Sequence, residues 1–580
     1  MGIPRLISTL EPFAVRGPLE GDDLVIDGPA LAYHVLYICR RNRIGQPSYD
    51  LLGRTTVSWL DKLSSHSSIK AIYFDGHLPP AKLPVRMERM VKSTSQLNQF
   101  YSSCTGGRPG RHLSQGEETD IDLFTSQQPE NKQLLPPSFL VPAIIDALRQ
   151  TDKYGSLVHQ VPGEADAFCA RHVATYGGIV LTSDSDLLVH DLAEGKVIFF
   201  RDIHLIGGKS GLECLFYDPR AICRKLGIPI EDALRLGYEV SRAHHASISQ
   251  ITRDCKQPLA DEEEYKEFCR EYLHHETSPV PTTEDGTLLH LECLDPRLSE
   301  LALQLGNSNL DGQDARIFLP VLIENPLLGS AWEQSTPVRQ LAYTMYRWAV
   351  PGQTSSVQEY RRVNMHQQKG RAVGMLPKDD AYAAIEDLLH LMKRVRMLGK
   401  DTPLSFWLTL SLVLDIRECQ DREKKSRSLR MVGQSRTVPG WSSESNVSWD
   451  LIHLTAQLQA AYYSFRILQQ ILSLCSETTW ESISPQVWDL HKELVELPPL
   501  TEFPDTQRTV EFLGRAQEFG IMKVLGEFVN VELEPETSSR KRSKTKKRKN
   551  GDEQAEVGSK RVAKQAIHTG RNMFSLLSDE

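Results

Sequence analysis

The 580-residue chain contains no Cys-x-x-Cys pair. Its ten cysteines stand singly between Cys39 and Cys475, which argues against a zinc-finger or thioredoxin-type motif and predicts free, mostly buried thiols in a reducing compartment. It has no uninterrupted apolar stretch of bilayer length, so neither a spanning helix nor a membrane partner is expected. The opening Met1-Gly2-Ile3-Pro4-Arg5-Leu6 lacks the cationic-then-apolar layout of a secretory leader, and Leu6 stands where myristoylation asks for Ser or Thr. No repeat of fixed period is visible. Positive charge is in the minority: 67 Lys and Arg against 75 Asp and Glu, a net of -8, so a uniformly basic coat is excluded. The basic residues are unevenly placed, however, with eight of the ten positions 540–549 being Lys or Arg. With 40% hydrophobic and 24% charged residues the chain has the composition of a folded globular protein rather than a disordered one.

What is present in the first third is alternation. Short runs rich in β-branched or aromatic residues at 24–27, 71–75, 157–161, 178–182 and 197–200 read as strands. Helical spacing lies between several of them, at 30–40 and 164–175. Strand, helix, strand repeated this way predicts an α/β fold: a parallel twisted sheet with helices on both faces. Between residues 92 and 137 the pattern breaks, with the breaker cluster Gly106-Gly107-Arg108-Pro109-Gly110 and a polar stretch at 114–130, which predicts a long exposed insertion at about 82–137. A helix resumes at 140–148. Past about residue 210 strand signals fade, and 288–305, 341–349, 381–397 and 451–474 carry apolar residues at helical spacing. The expected organisation is thus an α/β domain over 1–255, a largely helical domain over 256–530 with a polar loop at 424–445, and a disordered basic tail over 531–580. The tail's basic block is compatible with nuclear import or with a nucleic-acid-gripping arm, and 572–577 with a short docking helix.

Acidic residues stand where the predicted strands end: Asp27, Asp75, then Glu164 and Asp166 after Pro162-Gly163, then Asp184 and Asp186. The carboxyl ends of parallel strands share one edge, so six carboxylates are expected to converge. Such a group repels itself unless some members hold protons or divalent cations neutralise them. Hard oxygen donors suit two Mg²⁺ or Mn²⁺ ions. A pair about 3.5–4 Å apart serves phosphodiester hydrolysis by orienting the attacking water and offsetting charge on the leaving oxygen. Taken singly each acid has a plainer explanation as a cap or turn residue; the signal lies in their joint order. Lys82, Arg86, Arg89 and Lys92, at three- to four-residue spacing, predict one basic helix face beside the crevice.

These residues, in Met1-Gly2-Ile3-Pro4-Arg5-Leu6, Val25-Ile26-Asp27-Gly28, Phe74-Asp75-Gly76, Pro162-Gly163-Glu164-Ala165-Asp166 and Thr182-Ser183-Asp184-Ser185-Asp186, resemble the flap-endonuclease/XPG nuclease superfamily with its PIN-like fold. The resemblance covers about 1–240. The segments 318–326, 330–333 and 339–343 resemble the Asteroid branch of that superfamily. The resemblance implies a structure-specific endonuclease acting on flap, branched or overhanging DNA, a role in DNA repair in the nucleus, and two Mg²⁺ or Mn²⁺ ions held by Asp27, Asp75, Glu164, Asp166, Asp184 and Asp186. It also implies that Lys82 and Arg89 contact the scissile phosphate, that Gly2 lies near the DNA, and that the insertion is the family's arch. Two departures stand out. Where the family carries a further metal-binding Asp after Leu-Gly, Leu236-Gly237-Tyr238-Glu239 offers Glu239, and residues 241–252 lack the glycine turn that grips duplex DNA. No sliding-clamp-binding peptide is evident.

Two further readings stand beside this one. A pseudonuclease would use the same fold as a DNA- or protein-binding scaffold; both departures favour it and the retained acids oppose it. A metal-dependent glycosyltransferase would use Asp184 and Asp186 for a sugar nucleotide but leave the other acids unused. The doublets at 244–245 and 274–275 are expected to be surface histidines, because neighbouring imidazoles on a helix diverge. Trp332, Trp348, Trp407 and Trp449 are expected in the helical core. The helical domain or the tail is the expected site of any protein partner.

Overall fold

The computed structural model describes residues 2–529, apart from 78–81, 114–119, 126, 130–133, 207–210, 244, 274–281, 283–287, 307–314, 351, 353, 400–401, 434–444, 477–479, 482 and 517. The expected basic tail, the docking helix at 572–577, part of the insertion and three of the four doublet histidines lie outside the described residues. All ten cysteines are free. Among the described residues no helix is long and apolar enough to cross a membrane.

Five parallel strands form the central sheet: β1 (Asp23–Asp27), β2 (Ser68–Asp75), β3 (Val158–Val161), β4 (Ile179–Thr182) and β5 (Lys196–Phe199), in the order β3-β2-β1-β4-β5. Strand side chains alternate between faces, and the burial follows. Leu24, Ile26, Leu181 and Ile198 enter one apolar cluster, and Val25, Val180, Val197 and Phe199 the other. A sheet apolar on both sides needs two covering layers. On the first face lie α1 (Gly28–Arg41), α2 (Tyr49–Ser64) and, past a helix α3 (Leu83–Ser102), α4 (Leu140–Arg149). On the second lie α5 (Ala165–Tyr176), α6 (Ala233–Arg242) and the N-terminal Ile3, Leu6 and Leu10. The α/β class predicted from the alternation, a parallel sheet with helices on both faces, is the one observed, and it is consistent with the PIN-like fold that the resemblance implies.

The cluster on the first face continues without a break into the rest of the chain, and residues Met1–Leu533 pack as one compact unit. Its centre is α11 (Trp449–Leu472), buried along nearly its whole length against α8 (Thr336–Ala349); α7 (Pro296–Gly306), α9 (Lys378–Leu398) and α10 (Pro403–Asp421) pack around them. A buried ionic link joins the two halves. Arg466 of α11 donates to both oxygens of Asp146 on α4 at 2.8 and 2.9 Å, and to both oxygens of Asp295 at 2.8 Å. Arg466, with Gln470 and Tyr463, holds Asp295 down at about 2 despite its burial.

Four expectations need correction. Strands do not stop near residue 210: Leu212–Phe216 pairs with Val15–Pro18 and His204–Leu205, and β6 (Ala315–Phe318), β7 (Ser356–Tyr360) and β8 (Arg371–Gly374) form a second small sheet. These strands are short and half polar, so their period-two signal is weak. The helix expected over 288–305 starts only at Pro296, where proline fits the first helical turn. The insertion is not exposed throughout: α3 runs 20 residues and buries Met87, Met90, Leu97 and Phe100. Its apolar positions were too interspersed with polar ones to stand out. The polar loop at 424–445 contains a helix, Arg427–Gly433. Trp332, Trp407 and Trp449 are buried, as expected for core residues.

Candidate active site

The strand order reverses at β1, whose neighbours are β2 on one side and β4 on the other. In open parallel sheets this switch point opens a crevice at the carboxyl ends of the strands, and the acids gather there. Asp27 ends β1 and caps α1, its Oδ1 accepting from the Ala30 amide at 3.1 Å. Register sets Ile26 opposite Leu181, so Thr182 falls beside Asp27, and its hydroxyl donates to Asp27 Oδ2 at 2.6 Å. The same hydroxyl accepts from the Asp184 amide at 2.9 Å. Asp75 ends β2 and accepts from the Ala165 amide at 2.8 Å, which ties it to the start of α5 and so to Glu164 and Asp166. Asp186 Oδ1 accepts from the Ile3 amide at 2.8 Å, and the Ser185 hydroxyl donates to the Ile3 carbonyl at 3.2 Å. The N-terminal backbone therefore lies along the Asp184–Asp186 turn. A Cβ at Gly2, whose φ is +99°, would collide with Asp184 Oδ1 and Ser185 Oγ. Only glycine suits that contact.

The electrostatics match the crowding. Asp27, 4% exposed, is pushed up to about 7, chiefly by burial, with Asp75 and Asp184 adding repulsion against the help of Thr182 and Ala30. Burial and Asp184 push Asp186 up to about 7. Burial and Glu164 raise Asp75 to about 6, opposed by the Ala165 amide and by Arg86 and Arg89. Asp166 is raised well above the ordinary range by burial and by repulsion from four neighbours, Asp27, Asp184, Asp75 and Asp186, and its Oδ1 is buried without a hydrogen-bond partner. Around neutral pH the cluster keeps several protons.

The cationic residues sit at one side. Lys82 caps α3 and reaches Glu164 Oε1 at 3.3 Å. Arg89 is exposed and contributes to the field at Asp75. Arg86 also acts on Asp75, while held in an ion pair with Glu300 of α7 at 2.5 Å, over the ring of Phe318. The structure thus brings Asp27, Asp75, Glu164, Asp166, Asp184, Asp186 and Lys82 together, with Arg89 beside them. Glu239 is placed otherwise. It lies 1% exposed within α6, paired with Arg235 at 2.5 Å and Arg242 at 3.3 Å, and it is not among the charges that chiefly act on Asp27, Asp75, Asp166 and Asp186. Thr182 and the Ile3 amide were missed by sequence reasoning. The signal for Thr182 was its place level with Asp27 on the adjacent strand, which needs the register to be known.

The donor set fits a divalent cation. It consists of carboxylate oxygens, one of them a buried orphan on Asp166, in a cluster whose repulsion a cation relieves. Among the described residues no three acid, histidine or cysteine side chains are closed up as a cage for one ion, an arrangement compatible with Mg²⁺, which keeps several waters and takes only one or two carboxylates directly.

Residues 136–372 match the family described as "XPG domain containing". That stretch is similar to the XPG domain family. The match takes in Glu164, Asp166, Asp184 and Asp186 and runs on through β6 and β7. The chain is also 26% identical over 395 residues to Asteroid homolog 1 of Schizosaccharomyces pombe, covering 63% of this chain and 64% of that protein, a little under two thirds of the relative's length. The chain is thus similar both to XPG-domain proteins and to an Asteroid homologue.

Proposed function

We propose that this XPG domain is a metal-dependent endonuclease that hydrolyses phosphodiesters in DNA bearing single-strand/double-strand junctions, with a place in DNA repair. The observation that carries the reading is the convergence of six carboxylates on the switch point, with the Asp166 oxygen unspent and Lys82 at the rim. Asp27, Asp75, Glu164, Asp166, Asp184 and Asp186 would hold two Mg²⁺ or Mn²⁺ ions, which when bound would supply an acidified water and neutralise phosphate charge. The chain's own groups then have separable tasks. Thr182 keeps Asp27 Oδ2 oriented and lowers its proton affinity. The Ala165 amide does the same for Asp75. Lys82, released from Glu164, and Arg89 would orient a phosphate against the acids. The Gly2–Ile3 backbone fixes the turn that carries Asp184 and Asp186.

The deciding experiment is a cleavage panel of 5′ flap, 3′ overhang, single strand and duplex, in DNA and RNA, with Mg²⁺ or Mn²⁺, comparing wild type with Asp184→Ala. Cutting that persists in the variant would refute the assignment. One observation favours the pseudonuclease reading: the expected seventh acid, Glu239, is engaged by two arginines. Junction binding without cutting by any of these substrates would establish that alternative. A sugar-nucleotide transferase leaves four carboxylates at the same edge without a task. Nuclear targeting is proposed on the basic block at 540–549, and a reporter fused to 531–580 that stays out of the nucleus would remove it.

A further inference from the structure

A second site lies some way along α3. The last two turns of that helix, at Thr94 and Asn98, face the loop between β7 and β8 across a cleft of about 370 Å³. Its other walls are strongly cationic, with Arg361, Arg362, Lys369 and Arg371 on the loop side. Two carboxylates here are each shared by two arginines. Glu359 pairs with the buried Arg339 and with Arg361, both at 2.7 Å. Glu333 pairs with Arg371 at 2.9 Å and Arg422 at 2.8 Å. Arg422 also pairs with Glu418, and Arg362 pairs with Glu324 at 3.0 Å. Lys369 is exposed and has no ion-pair partner among the described residues. Six cations thus surround four carboxylates. Arg339 is fully buried and spends its donors inside the protein, but Arg371 is half exposed and donates to Glu333 through Nη1 alone, and phosphate oxygens are the acceptors that such free donors favour.

The cleft does not offer a base a stacking surface. Tyr360, the aromatic residue in its wall, stacks on Phe318 at 4.7 Å, and Gly370 packs so tightly on the tyrosine that a Cβ there would lie 3.0 Å from the ring. What remains is charge without base recognition, which suits a sugar-phosphate backbone of any sequence.

The helix ties this cleft rigidly to the acids. Lys82 at the start of α3 touches Glu164. Met90 packs with Phe318 and Val363, and the Val363 amide donates to Thr94 Oγ1 at 3.2 Å. At 1.5 Å per residue, Thr94 lies about 18 Å beyond Lys82. Exposed Arg89 and Lys92 stand on the helix between them. A stacked strand carries a phosphate about every 3.4 Å, so roughly five nucleotides bridge that span. We propose that this cleft is a second phosphate-binding site, holding the backbone of a single-stranded arm about five nucleotides from the acid cluster. The proposal deepens the nucleic-acid reading above and rests on it.

The test uses the full chain and hairpin oligonucleotides with a single-stranded arm of two or ten nucleotides at either the 5′ or the 3′ end. Binding is followed by fluorescence anisotropy in EDTA over a range of salt, so that cutting plays no part. Wild type is expected to prefer one of the ten-nucleotide arms. In Lys369→Ala, and more so in Lys369→Ala/Arg371→Ala, that preference should fall by about tenfold and the salt slope should shrink by about one per lost contact. Lys369→Arg should keep it. Thermal melting establishes that the variants fold, and Lys369→Ala changes only an exposed side chain. Unchanged arm-length preference in the variants, or an equal loss for both arm lengths, overturns the proposal. So does binding of a free nucleoside triphosphate at the cleft without any arm-length effect. Arm-dependent binding that Lys369→Ala weakens, in a chain that cuts none of the substrates, sinks the nuclease reading and leaves the cleft standing. Cutting with no such dependence does the reverse.

Discussion

Proton release on metal binding follows from the site's electrostatics and can be measured without any substrate. Asp27 and Asp186 are raised to about 7, Asp75 to about 6, and Asp166 well above the ordinary carboxylate range. At pH 6.5 the first two are each roughly three-quarters protonated and Asp75 roughly one-quarter. Cations that engage these three carboxylates must therefore expel roughly two protons from them at pH 6.5 and close to none at pH 8.5, with any proton held by Asp166 adding to the count. Titrating Mn²⁺ into the protein by calorimetry, in buffers of different ionisation enthalpy, reads that number directly. Stability should move with it. A folded-state pKa raised above the unfolded value means that the native protein binds more protons than the unfolded chain, so without metal stability falls as pH rises from about 4 to about 7. Buried Glu324, also raised to about 7, adds to that slope, whereas Asp295 and Glu359, both held near 2, lose their contribution only below about pH 4. Divalent metal should accordingly raise the melting temperature more at pH 8 than at pH 5.5, and Asp166→Asn should lower the number of protons released. Release near zero at pH 6.5, or equal metal stabilisation at both pH values, would refute the reasoning.

Asp184→Ala should lower cleavage on the order of 10²–10³-fold or more while leaving the melting temperature near that of wild type. Thr182→Val deletes the hydroxyl that supports Asp27; a hydrogen bond to a charged group is worth about 1.5–3 kcal/mol, so the rising limb of the pH–rate profile should move about one to two units to higher pH. Glu239→Gln strands Arg235 in a buried position and should cost about 3–5 kcal/mol in denaturant unfolding, with the rate per folded molecule unchanged; a lost rate in a stable variant would restore Glu239 as a ligand. Gly2→Ala puts a methyl group against Asp184 at a positive φ, and is expected to cut the rate and weaken Mn²⁺ binding with little change in unfolding, measured side by side.

The reach of the sequence differed between the two halves for a physical reason. Parallel strands buried on both faces read as continuous apolar runs, and their shared direction sends every terminal acid to one edge, so Asp27, Asp75, Glu164, Asp166, Asp184 and Asp186 could be grouped before any coordinates were known. The helices α8, α9 and α11 were legible through their spacing in the same way. Local pattern alone determined that much, because each of these signals is contained within one element and its ends.

Contacts between distant segments were decided elsewhere. Nothing local marks Thr182 as the partner of Asp27, 155 residues away, since that pairing depends on strand register. Glu239 looked like a late metal ligand because it follows Leu-Gly, yet the helix puts Arg235 and Arg242 four and three residues from it, and burial makes those pairs dominant. The apolar face of α3 had meaning only once β6 and the 361–370 loop arrived to cover it. Periodicity tells which side of an element shuns water; which surface then meets that side, and which charges are left facing one another, is settled only when the whole chain packs.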